Sequence, residues 1–211
     1  MTDISAPVDD TRTRSVPGED TPRSDNRGTL SDVTGYRQTN TGIGNRLGRA
    51  IWGVACLVLI RPSPRPFHGW RSLVLRCFGA RLGRACHIYP GARIWAPWNL
   101  VCEDGVAIAD GAEVYNPATV TLRAHAVVSQ GAYLCGASHD YDDPEFPMIS
   151  APIEIGRCAW IASRASVLMG VTVEEGAVLA LGSIATRDLK AWCIYAGIPA
   201  RQVGTRSRRP R

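Results

Sequence analysis

The chain has 211 residues, of which 45% are hydrophobic and 20% charged, and its formal net charge is +5. This length and apolar content suffice for one domain with a sizeable core and some additional segments. The cysteines are odd in number and form no short paired motif, which excludes a disulfide framework and a structural zinc site. We therefore expect a reducing compartment, the cytoplasm. The seven cysteines are Cys56, Cys77, Cys86, Cys102, Cys135, Cys158 and Cys193.

Residues 1–42 form a polar N-terminal segment rich in Asp, Arg, Thr, Pro and Ser. The segment holds no apolar stretch of the kind found in a signal peptide, and its composition buries too little surface to order a chain. We expect residues 1–42 to be a disordered tail, and their sequence indicates no function.

Positive charge is concentrated in the next part of the chain. Between Asp32 and Glu103 there is no acidic residue, yet ten arginines lie from Arg37 to Arg93. Such a basic surface could face anionic lipid, a diphosphate-bearing substrate or nucleic acid. No nucleic-acid-binding motif accompanies it, and aromatic residues do not alternate with the arginines as a base-stacking surface requires. We therefore expect no nucleic-acid partner.

Residues 43–80 are predicted to form a helical cap. One helix covers residues 44–60 and ends before Pro62, because a proline cannot continue a helix. A second helix is predicted at residues 70–78. The cap precedes the repetitive part of the chain, whose open end must be covered.

The first of these helices contains the apolar run 50–60. As a helix this run spans about 16 Å, roughly half of a bilayer's hydrocarbon core, so it does not cross a membrane. The run either packs on the base of the following domain or makes a peripheral membrane contact through residues 44–65. Capping is the interpretation we favour, and the two roles are compatible. In the membrane interpretation the residues facing phosphate headgroups are Arg46, Arg49, Arg61 and Arg65.

From Leu82 onward an aliphatic residue recurs every six positions. Two more blocks of hexads begin at Ile108 and Leu122, each after two skipped residues, and five hexads run without a break from Ile155. All fourteen hexads begin with Leu, Ile or Val, and the fifth residue is Ala, Ser or Cys in eleven of them. An α-helix repeats at about 3.6 residues and a half-buried strand at about 2, so neither explains this period.

A period of six indicates short parallel strands joined by tight turns, with the aliphatic side chain pointing inward once in each strand. Three strands make one triangular coil, and coils stack at the interstrand spacing of about 4.8 Å. We therefore predict an all-β solenoid over residues 81–190, a parallel β-helix of four to five triangular coils. An ordinary β-sandwich would need turn signals every ~8–12 residues and does not keep this phase.

One stretch, residues 135–154, interrupts the array with a histidine, several acids and several prolines. A solenoid can expel extra residues at a turn without disturbing its stacking, so this stretch is predicted to be an excursion from one corner. Loops of this length are usually functional or disordered. Tyr141 and Phe146 together with the prolines favour a loop that packs and keeps a shape.

The hexads resemble the left-handed parallel β-helix of the hexapeptide-repeat acyltransferases. The resemblance covers residues 61–204, and "RPSPRPFHGW", "IWAPWNL", "SQGAYLCGASHDYDDPEFPM" and "AGIPAR" are similar to the branch of colanic acid biosynthesis acetyltransferases. It implies the left hand, an acetyl-CoA-dependent O-acetyltransferase, and a carbohydrate or lipid-linked sugar acceptor of surface-polysaccharide assembly. It also implies a homotrimer with each active site between adjacent prisms, and a C-terminal CoA-side segment with a basic tail at residues 191–211.

His139 lies in the active-site loop 135–154, where similar acyltransferases place their general base. An imidazole changes protonation state near neutral pH and can take a proton from a sugar hydroxyl. The resemblance implies that His139 is the catalytic base and that the hydroxyl attacks the thioester directly, with no covalent acyl-enzyme and no metal. A neighbouring acid or a backbone carbonyl would fix the tautomer, and the candidate acids are Asp140, Asp142 and Asp143.

Further substrate contacts follow from the same resemblance. Trp160 matches a Trp beside the reacting centre, and Asn116 matches a polar residue that meets the acceptor sugar. Asp140 and Asp142 are candidates for acceptor binding because they flank the proposed base. Trp160 could equally fill a coil corner, and a structural role is the alternative for Asn116.

The candidate acetyl-CoA contacts lie in the C-terminal part of the chain. In "LALGSIATRDL" the family's usual Thr-Lys-Asp is present as Thr-Arg-Asp, and arginine keeps the positive charge for the CoA phosphates. Small residues at these positions also suit a tight coil corner, so both roles are compatible. The candidate contacts are Ala162, Gly182, Ser183, Thr186, Arg187, Pro199 and Arg201.

The sequence has three other possible interpretations. A zinc site of the kind found in hydrases on the same solenoid needs three converging histidines, and the spacings of 19, 38 and 14 residues do not suggest one. Acetylation of a small non-sugar acceptor, such as a drug or an amino-acid hydroxyl, is the enzymatic alternative. A non-catalytic scaffold is disfavoured by the loop histidine and the C-terminal CoA positions. The histidines considered are His68, His87, His125 and His139.

Overall fold

The structure, a computed structural model, describes residues 43–207. The tail predicted at residues 1–42 and the last four residues of the basic tail lie outside the described residues. Helical segments come first: α1 (Ile43–Ala55), a π-helical turn (Cys56–Ile60) and α2 (His68–Cys77). The strands of the described chain follow: β1 (Arg81–Leu82), β2 (His87–Ile88), β3 (Arg93–Ile94), β4 (Leu100–Cys102), β5 (Ala107–Ile108), β6 (Glu113–Tyr115), β7 (Val120–Leu122), β8 (Val127–Val128), β9 (Tyr133–Cys135), β10 (Ala137–His139), β11 (Met148–Ser150), β12 (Ile153–Ile155), β13 (Trp160–Ile161), β14 (Ser166–Leu168), β15 (Thr172–Val173), β16 (Val178–Leu179), β17 (Ile184–Ala185), β18 (Cys193–Gly197) and β19 (Ala200–Thr205).

Three parallel sheets form the sides of a prism. The first sheet has the order β1-β4-β7-β12-β15, the second β2-β5-β8-β13-β16-β18, and the third β3-β6-β9-β14-β17. The chain visits the three sheets in turn, so each circuit is one triangular coil. Strand β18 continues the second sheet above β16, and β19 then pairs with β18 in the antiparallel sense. The predicted parallel β-helix is confirmed, with five complete coils and the start of a sixth rather than four to five.

The aliphatic residues that begin the hexads fill the interior of the prism. Thirteen of the fourteen are buried, and Leu82 in the outermost coil is partly buried. Leu122, Ile155 and Val173 illustrate the stacking, because they are aligned in successive strands of the first sheet and have no exposed surface. Full burial of such a side chain contributes roughly 1.5–3 kcal/mol, so the aligned columns are the main source of stability.

The phase of the repeat differs from the expected one at a single place. Cys102, rather than Leu100, is aligned with Leu82 and Leu122 in the first sheet. Leu100 also points inward, because β4 has three residues whose first and last side chains are both buried. The two residues that interrupt the six-residue period in this coil therefore lie before Cys102. Aligned first-sheet residues of the first three coils are 20 positions apart.

The third sheet has two corners that matter for the site. We call the corner where the chain enters it from the second sheet the leading corner, represented by Gln130, Ser163 and Gly182. The corner where the chain leaves it for the next coil is called the trailing corner, represented by Asn116 and Thr186. Strand β9, three residues long, lies between these corners in the third coil, which corresponds to roughly 10 Å of extended chain.

At the remaining corner, one residue in each coil has a left-handed backbone conformation. The residues are Ala85, Gly105, His125, Cys158, Gly176 and Trp192, with φ between 52° and 71°. Gly176 has a second reason to be glycine, because a Cβ there would lie 2.6 Å from the Trp192 ring of the next coil. The corners thus stack as regularly as the strands do.

The helices cover the open end of the first coil, and the predicted capping role is confirmed. Backbone carbonyl groups at a sheet edge need hydrogen-bond donors when they are covered. One edge carbonyl in each sheet accepts a bond from a cap side chain: Leu82 from Arg76 Nη2 at 3.0 Å, Ile88 from Arg71 Nε at 2.6 Å, and Ile94 from Trp52 Nε1 at 2.7 Å.

Arg71 is the polar centre of this cap. It has no exposed surface, and its guanidinium also donates to Ser63 Oγ at 2.9 Å, to the Pro64 carbonyl at 2.8 Å and to the Arg65 carbonyl. A buried charge is tolerated only when its donors are satisfied, and here the acceptors are mostly backbone oxygens. Arg71 therefore fastens the turn before α2 to the first coil.

None of the described helices has the length and hydropathy needed to span a membrane.

Candidate active site

Residues 135–154 leave the trailing corner of the third coil as a β-hairpin. Its strands β10 and β11 pair in the antiparallel sense over three residues each. At the base, the amide of Ala151 donates to the carbonyl of Gly136 at 3.2 Å. Beyond the strands, the amide of Asp140 donates to the carbonyl of Pro147 at 3.0 Å. The interruption is therefore a folded element whose two ends stay in contact.

His139 is the last residue of β10 and its side chain is exposed. Its ring stacks on Phe146 with centroids 4.4 Å apart and planes 6° from parallel, and Nδ1 lies 3.0 Å from the Phe146 carbonyl oxygen. A carbonyl oxygen only accepts hydrogen bonds, so Nδ1 carries the hydrogen in the neutral ring. Nε2 then holds the lone pair that a general base requires.

The acids near His139 shape the hairpin tip. A carboxylate oxygen of Asp140 accepts from the amide of Asp142 at 3.2 Å, and one of Asp143 accepts from the amide of Glu145 at 2.9 Å. Such bonds to the residue two positions on are typical of turns. Of the tautomer partners that the sequence left open, the structure places a backbone carbonyl, that of Phe146, against the ring of His139.

Asn116 lies inside the trailing corner of the second coil, with no exposed surface. Its Oδ1 accepts from the amide of Ala96 at 2.9 Å, and its Nδ2 donates to the Ala96 carbonyl at 2.8 Å. The backbone carbonyl of Asn116 accepts from Asn99 Nδ2 at 3.1 Å. These bonds join two coils, so the structure gives Asn116 a structural role in place of the expected contact with the acceptor.

Trp160 stands on the outer face of the second sheet, close to the leading corner. It pairs with Val127 in the coil before and Val178 in the coil after, and 46% of its surface is exposed. Its Nε1 donates to Ser129 Oγ at 2.8 Å, which fixes the ring across two coils. The indole face remains available to a ligand or to a second chain.

Four of the candidate acetyl-CoA contacts lie on the leading corner of successive coils. The Gly182 amide donates to the Ser163 carbonyl at 3.1 Å, and the Gly197 amide donates to Ser183 Oγ at 3.0 Å. Gly182 has φ +67°, and a Cβ there would meet no atom within 4 Å, so the backbone conformation is what requires glycine and the space outside it is open. The residues stacked here are Ala162, Gly182, Ser183 and Pro199.

The remaining candidate contacts occupy other positions. Arg201 is exposed on β19, beside the leading corner, whereas Thr186 and Arg187 are exposed on the trailing corner of the fifth coil. Asp188 follows them and accepts from the amide of Thr172 at 2.7 Å, which closes that corner. The structure therefore brings the candidate residues together in two groups, one at each end of the third sheet.

Tyr133, on the third sheet near the hairpin, is another side chain with an ionisable group. Burial raises the pKa of Tyr133 above its ordinary value, and a hydrogen bond with Cys135 adds to the shift. The Cys135 thiol in turn donates to the Ala137 carbonyl at 3.3 Å. Tyr133 is thus neutral at physiological pH and is no competitor of His139 for the role of base.

The comparisons with known proteins agree with this geometry. No protein-family model matches the chain. A relative from Escherichia coli K12, the putative colanic acid biosynthesis acetyltransferase WcaF, is 34% identical over 157 residues, which is 74% of this chain and 86% of the relative. The chain belongs to the hexapeptide-repeat acyltransferase family.

A second relative is less similar in sequence and aligns with a smaller share of this chain. The galactoside O-acetyltransferase of Escherichia coli K12 is 29% identical over 119 residues, or 56% of this chain and 53% of the relative. The resemblance drawn from the hexads and the quoted motifs is therefore confirmed, and with it the conclusion that the protein is an enzyme of the acyltransferase class.

Solved structures show the fold of this acyltransferase at low sequence identity. A hexapeptide-repeat acetyltransferase from Vibrio cholerae, VCA0836, has a TM-score of 0.71 at 20% identity and covers 82% of this chain and 96% of its own. A galactoside acetyltransferase in complex with coenzyme A has a TM-score of 0.67 at 22% identity, covering 79% and 84%. The parallel β-helix predicted from the sequence is therefore a fold that this chain shares with solved acetyltransferases.

The histidines of this acyltransferase do not converge on one point. His68 stacks on His87 with ring centroids 4.8 Å apart, a pairing that the spacing of 19 residues did not reveal. Within residues 43–207, no cluster of three or more His, Cys, Asp or Glu side chains could hold a metal ion. His125 is exposed at the left-handed corner, and His139 is in the hairpin.

Two residues of the site were missed by the sequence reasoning. Phe146 orients the imidazole of His139 through both its ring and its carbonyl, and Ser129 holds the indole of Trp160. Phe146 could have been found by pairing the hairpin from its ends, which sets Met148 opposite His139 and Phe146 at the diagonal position two residues before Met148. Ser129 has no local signal, because its partner lies 31 residues away.

Proposed function

We propose that this acyltransferase transfers the acetyl group of acetyl-CoA to a hydroxyl of a carbohydrate acceptor, a precursor of a surface polysaccharide, in the cytoplasm. The observation that carries the proposal is the exposed imidazole of His139, whose Nδ1 faces the Phe146 carbonyl and whose Nε2 is left for a substrate. The printed names of the relatives, a colanic acid biosynthesis acetyltransferase and a galactoside O-acetyltransferase, support the sugar as acceptor.

In the proposed reaction Nε2 of His139 takes the proton of the acceptor hydroxyl as its oxygen attacks the thioester carbonyl. The new C–O bond forms, the C–S bond breaks, and the electron pair leaves with the CoA sulfur. The imidazolium returns its proton to that sulfur, which restores the neutral ring and gives the thiol product. The hydrogen bond from Nδ1 to the Phe146 carbonyl stabilises the imidazolium while it exists.

Acetyl-CoA is assigned to the leading corner. The open space outside Gly182 lets an extended chain approach the backbone, and the buried Ser183 hydroxyl already holds the Gly197 turn that closes this surface. The exposed guanidinium of Arg201, beside this corner, is suited to phosphate oxygens, because it can donate two bonds at once. Arg187 is exposed on the trailing corner, so it would reach the same phosphates from a neighbouring chain. Solved relatives of the same fold contain acetyl-CoA or coenzyme A, which supports this co-substrate.

The separation of the two groups of residues supports a homotrimer with shared sites. His139 lies at the trailing corner, whereas Trp160 and Gly182 lie at the leading corner, and the third sheet stands between them in one chain. Placing the trailing corner of one prism against the leading corner of the next would unite them. A cyclic arrangement of three chains closes such a contact. Trp160 then lines the reacting centre, and Asp140 and Asp142 contribute to acceptor binding.

The release of CoA thiol from acetyl-CoA, with and without pooled sugar acceptors, tests the function. Sugar-dependent release supports the proposal. Release with small amines or amino-acid hydroxyls in place of sugars would favour the non-sugar alternative, and no release with any acceptor would favour a scaffold. His139→Ala should lower kcat by about 10²–10⁴, the usual contribution of a general base. His125→Asn is the matched control, because it removes an exposed imidazole at a distant corner and asparagine accepts the left-handed conformation.

The shared site has its own test. His139→Ala and Trp160→Ala chains, each nearly inactive alone, are unfolded together and refolded as mixed trimers. If each site takes His139 from one chain and Trp160 from its neighbour, roughly a quarter of the sites in an equal mixture are intact. Recovery of about that share of activity supports the arrangement. A mixture with no more activity than its parents would place both residues of each site in one chain.

A further inference from the structure

Helix α1 and the π-helical turn that continues it have two apolar faces. The inner face is buried on the prism through Trp52, Ala55 and Ile60. A helix that is apolar on all sides is normally buried on all sides. Here the opposite face is open, with exposed fractions between 53% and 70% for Leu47, Ile51, Val54, Leu57 and Val58.

The exposed residues of this helix form one continuous stripe. Positions 47, 51, 54 and 58 follow the three- and four-residue steps that place side chains on one side of a helix. Between them lies an apolar depression of about 400 Å³, lined by Ile51, Val54, Ala55, Val58 and Leu59. The stripe runs lengthwise along the side of the helix that faces away from the prism.

Helix α2 extends the apolar surface. Phe67, Trp70 and Leu73 are exposed by 53%, 42% and 52%. Trp70 Nε1 donates to the Leu59 carbonyl at 2.9 Å, which joins α2 to the end of the π-helical turn. Single exposed apolar side chains are ordinary, but a continuous patch of this extent marks an interaction surface. We call it the outer cap face: Leu47, Ile51, Val54, Leu57, Val58, Leu59, Phe67, Trp70 and Leu73.

Positive charge borders the outer cap face. In the described residues 43–102 every charged residue is an arginine, and Arg46 and Arg61, both exposed, stand at the two ends of the stripe. Arg65 is exposed too, and it pairs with Asp110 of the prism. An apolar helix face with arginines at its margins is the pattern of a helix that lies in a lipid interface.

We propose that the outer cap face docks on the surface of a bilayer containing anionic phospholipid, with α1 lying in the interfacial plane. A second copy of this chain is a poorer fit, because a two-fold contact would set the arginines of one face against those of the other. On a membrane the same guanidinium groups meet phosphate oxygens. The apolar side chains enter the boundary between headgroups and acyl chains.

Docking would set the position of the active site. The cap covers the first coil and the hairpin leaves the third, so the base of the His139 hairpin lies about 10 Å further along the prism. A sugar carried on a membrane lipid would be held near that height. The docking itself does not depend on the proposed transfer reaction, and the two can be tested apart.

The test is co-sedimentation of the full chain with two kinds of vesicle. One kind contains phosphatidylcholine alone, and the other also contains roughly 30% of the anionic lipid phosphatidylglycerol. The wild-type chain should bind the anionic vesicles at least about tenfold more tightly, and added salt should weaken the binding. The double variant Ile51→Glu, Val54→Glu should lose it. Val203→Glu is the matched control, since Val203 is 64% exposed on β19, away from the cap.

Two further measurements keep the result interpretable. The double variant should acetylate a water-soluble sugar as fast as wild type, since neither residue belongs to the proposed site, and its melting temperature should be unchanged. No preference for anionic vesicles in the wild type would overturn the proposal. Light scattering compares the mass of the oligomer in the wild type and the double variant. A lower mass for the double variant would also overturn the proposal, because another copy of the chain would then cover the outer cap face in the wild type.

Discussion

The hexad array and the hairpin are built by different kinds of contact. In the array each inward side chain packs on residues one coil away, as Leu122 does between Cys102 and Ile155. In the hairpin the contacts are short in sequence, such as the stacking of His139 on Phe146. The array therefore holds the molecule together. The hairpin is held at its own base and by its own tip, and Tyr115 of the array adds one side-chain bond by donating to Met148 Sδ at 3.7 Å.

This difference explains how an ordered scaffold can accept the interruption. The bond from the Ala151 amide to the Gly136 carbonyl closes the base, so the coil continues as though the residues between were absent. Substitutions in the array should change stability before activity, and substitutions in the hairpin should do the reverse. Each prediction below tests one side of that contrast.

The largest effect is expected from deleting residues 138–150. The deletion shortens the distance from Leu122 to Ile155 from 33 residues to 20, the spacing between Cys102 and Leu122. The coils should stack as before, so the melting temperature should change by only a few degrees. Acetyl transfer should fall by at least about 10², because the proposed base His139 is removed. Circular dichroism, thermal melting and the thiol-release assay measure these outcomes.

A deletion of residues 138–151 serves as the control for length. It leaves the coil one residue short, which a turn cannot make up, and a slip of one position turns inward side chains of a strand outward. This longer deletion should melt well below the first. If both deletions fold equally well, the coil spacing is not what governs folding. If the first aggregates, the hairpin contributes to the scaffold and the contrast fails.

In the hexad array, Leu122→Ala is expected to cause a large loss of stability. The side chain has no exposed surface and lies in the middle coil of the prism. Truncation of a buried leucine leaves a cavity and costs about 2–5 kcal/mol. Thr121→Ala on the outer face of the same strand should cost less than about 0.5 kcal/mol. Urea denaturation gives both values, and similar losses at the two positions would contradict the assignment of the faces.

The fold was predictable because the aliphatic period encodes it. The number of coils was underestimated because only Leu, Ile and Val were counted as inward residues. The inward residue of β17, which completes the fifth coil, is Ala185. The sixth coil is built on Leu189 and Tyr195, and an aromatic residue in the inward position does not match the aliphatic pattern. The cap helices were predictable from their apolar runs.

The site was predictable only in part. His139 is a candidate base through the resemblance of its loop to related enzymes, but the group that fixes its tautomer depends on which carbonyl the hairpin brings against the ring. For Asn116 the residue type was ambiguous. A side-chain amide at a turn can bind a sugar, and it can also make the two hydrogen bonds to the Ala96 backbone that the structure shows. Residue type alone cannot separate these roles.

Replacing Arg71 tests whether a buried polar side chain contributes to the stability of the scaffold. Arg71→Met keeps the apolar stem and removes every donor, leaving buried carbonyls such as that of Ile88 without this partner. A hydrogen bond to a charged group contributes about 1.5–3 kcal/mol, so the loss should reach about 2–3 kcal/mol. Arg81→Met is the control, since Arg81 is exposed on β1, outside the cap helices. Equal effects on the urea midpoint would contradict a special role for Arg71.

The smallest effect is expected for Trp160→Phe, at the boundary between scaffold and site. The substitution removes the bond to Ser129 Oγ and keeps an aromatic face, so stability should fall by only about 0.5–1.5 kcal/mol. If the indole face lines the reacting centre of a neighbouring chain, Trp160→Phe should retain most of the transfer rate, whereas Trp160→Ala should lose it. Ser129→Ala is the control, because it breaks the same bond and leaves the indole in place. A rate lost equally in Ser129→Ala and Trp160→Ala would mean that Trp160 acts through the scaffold and that the second sheet carries no part of the site.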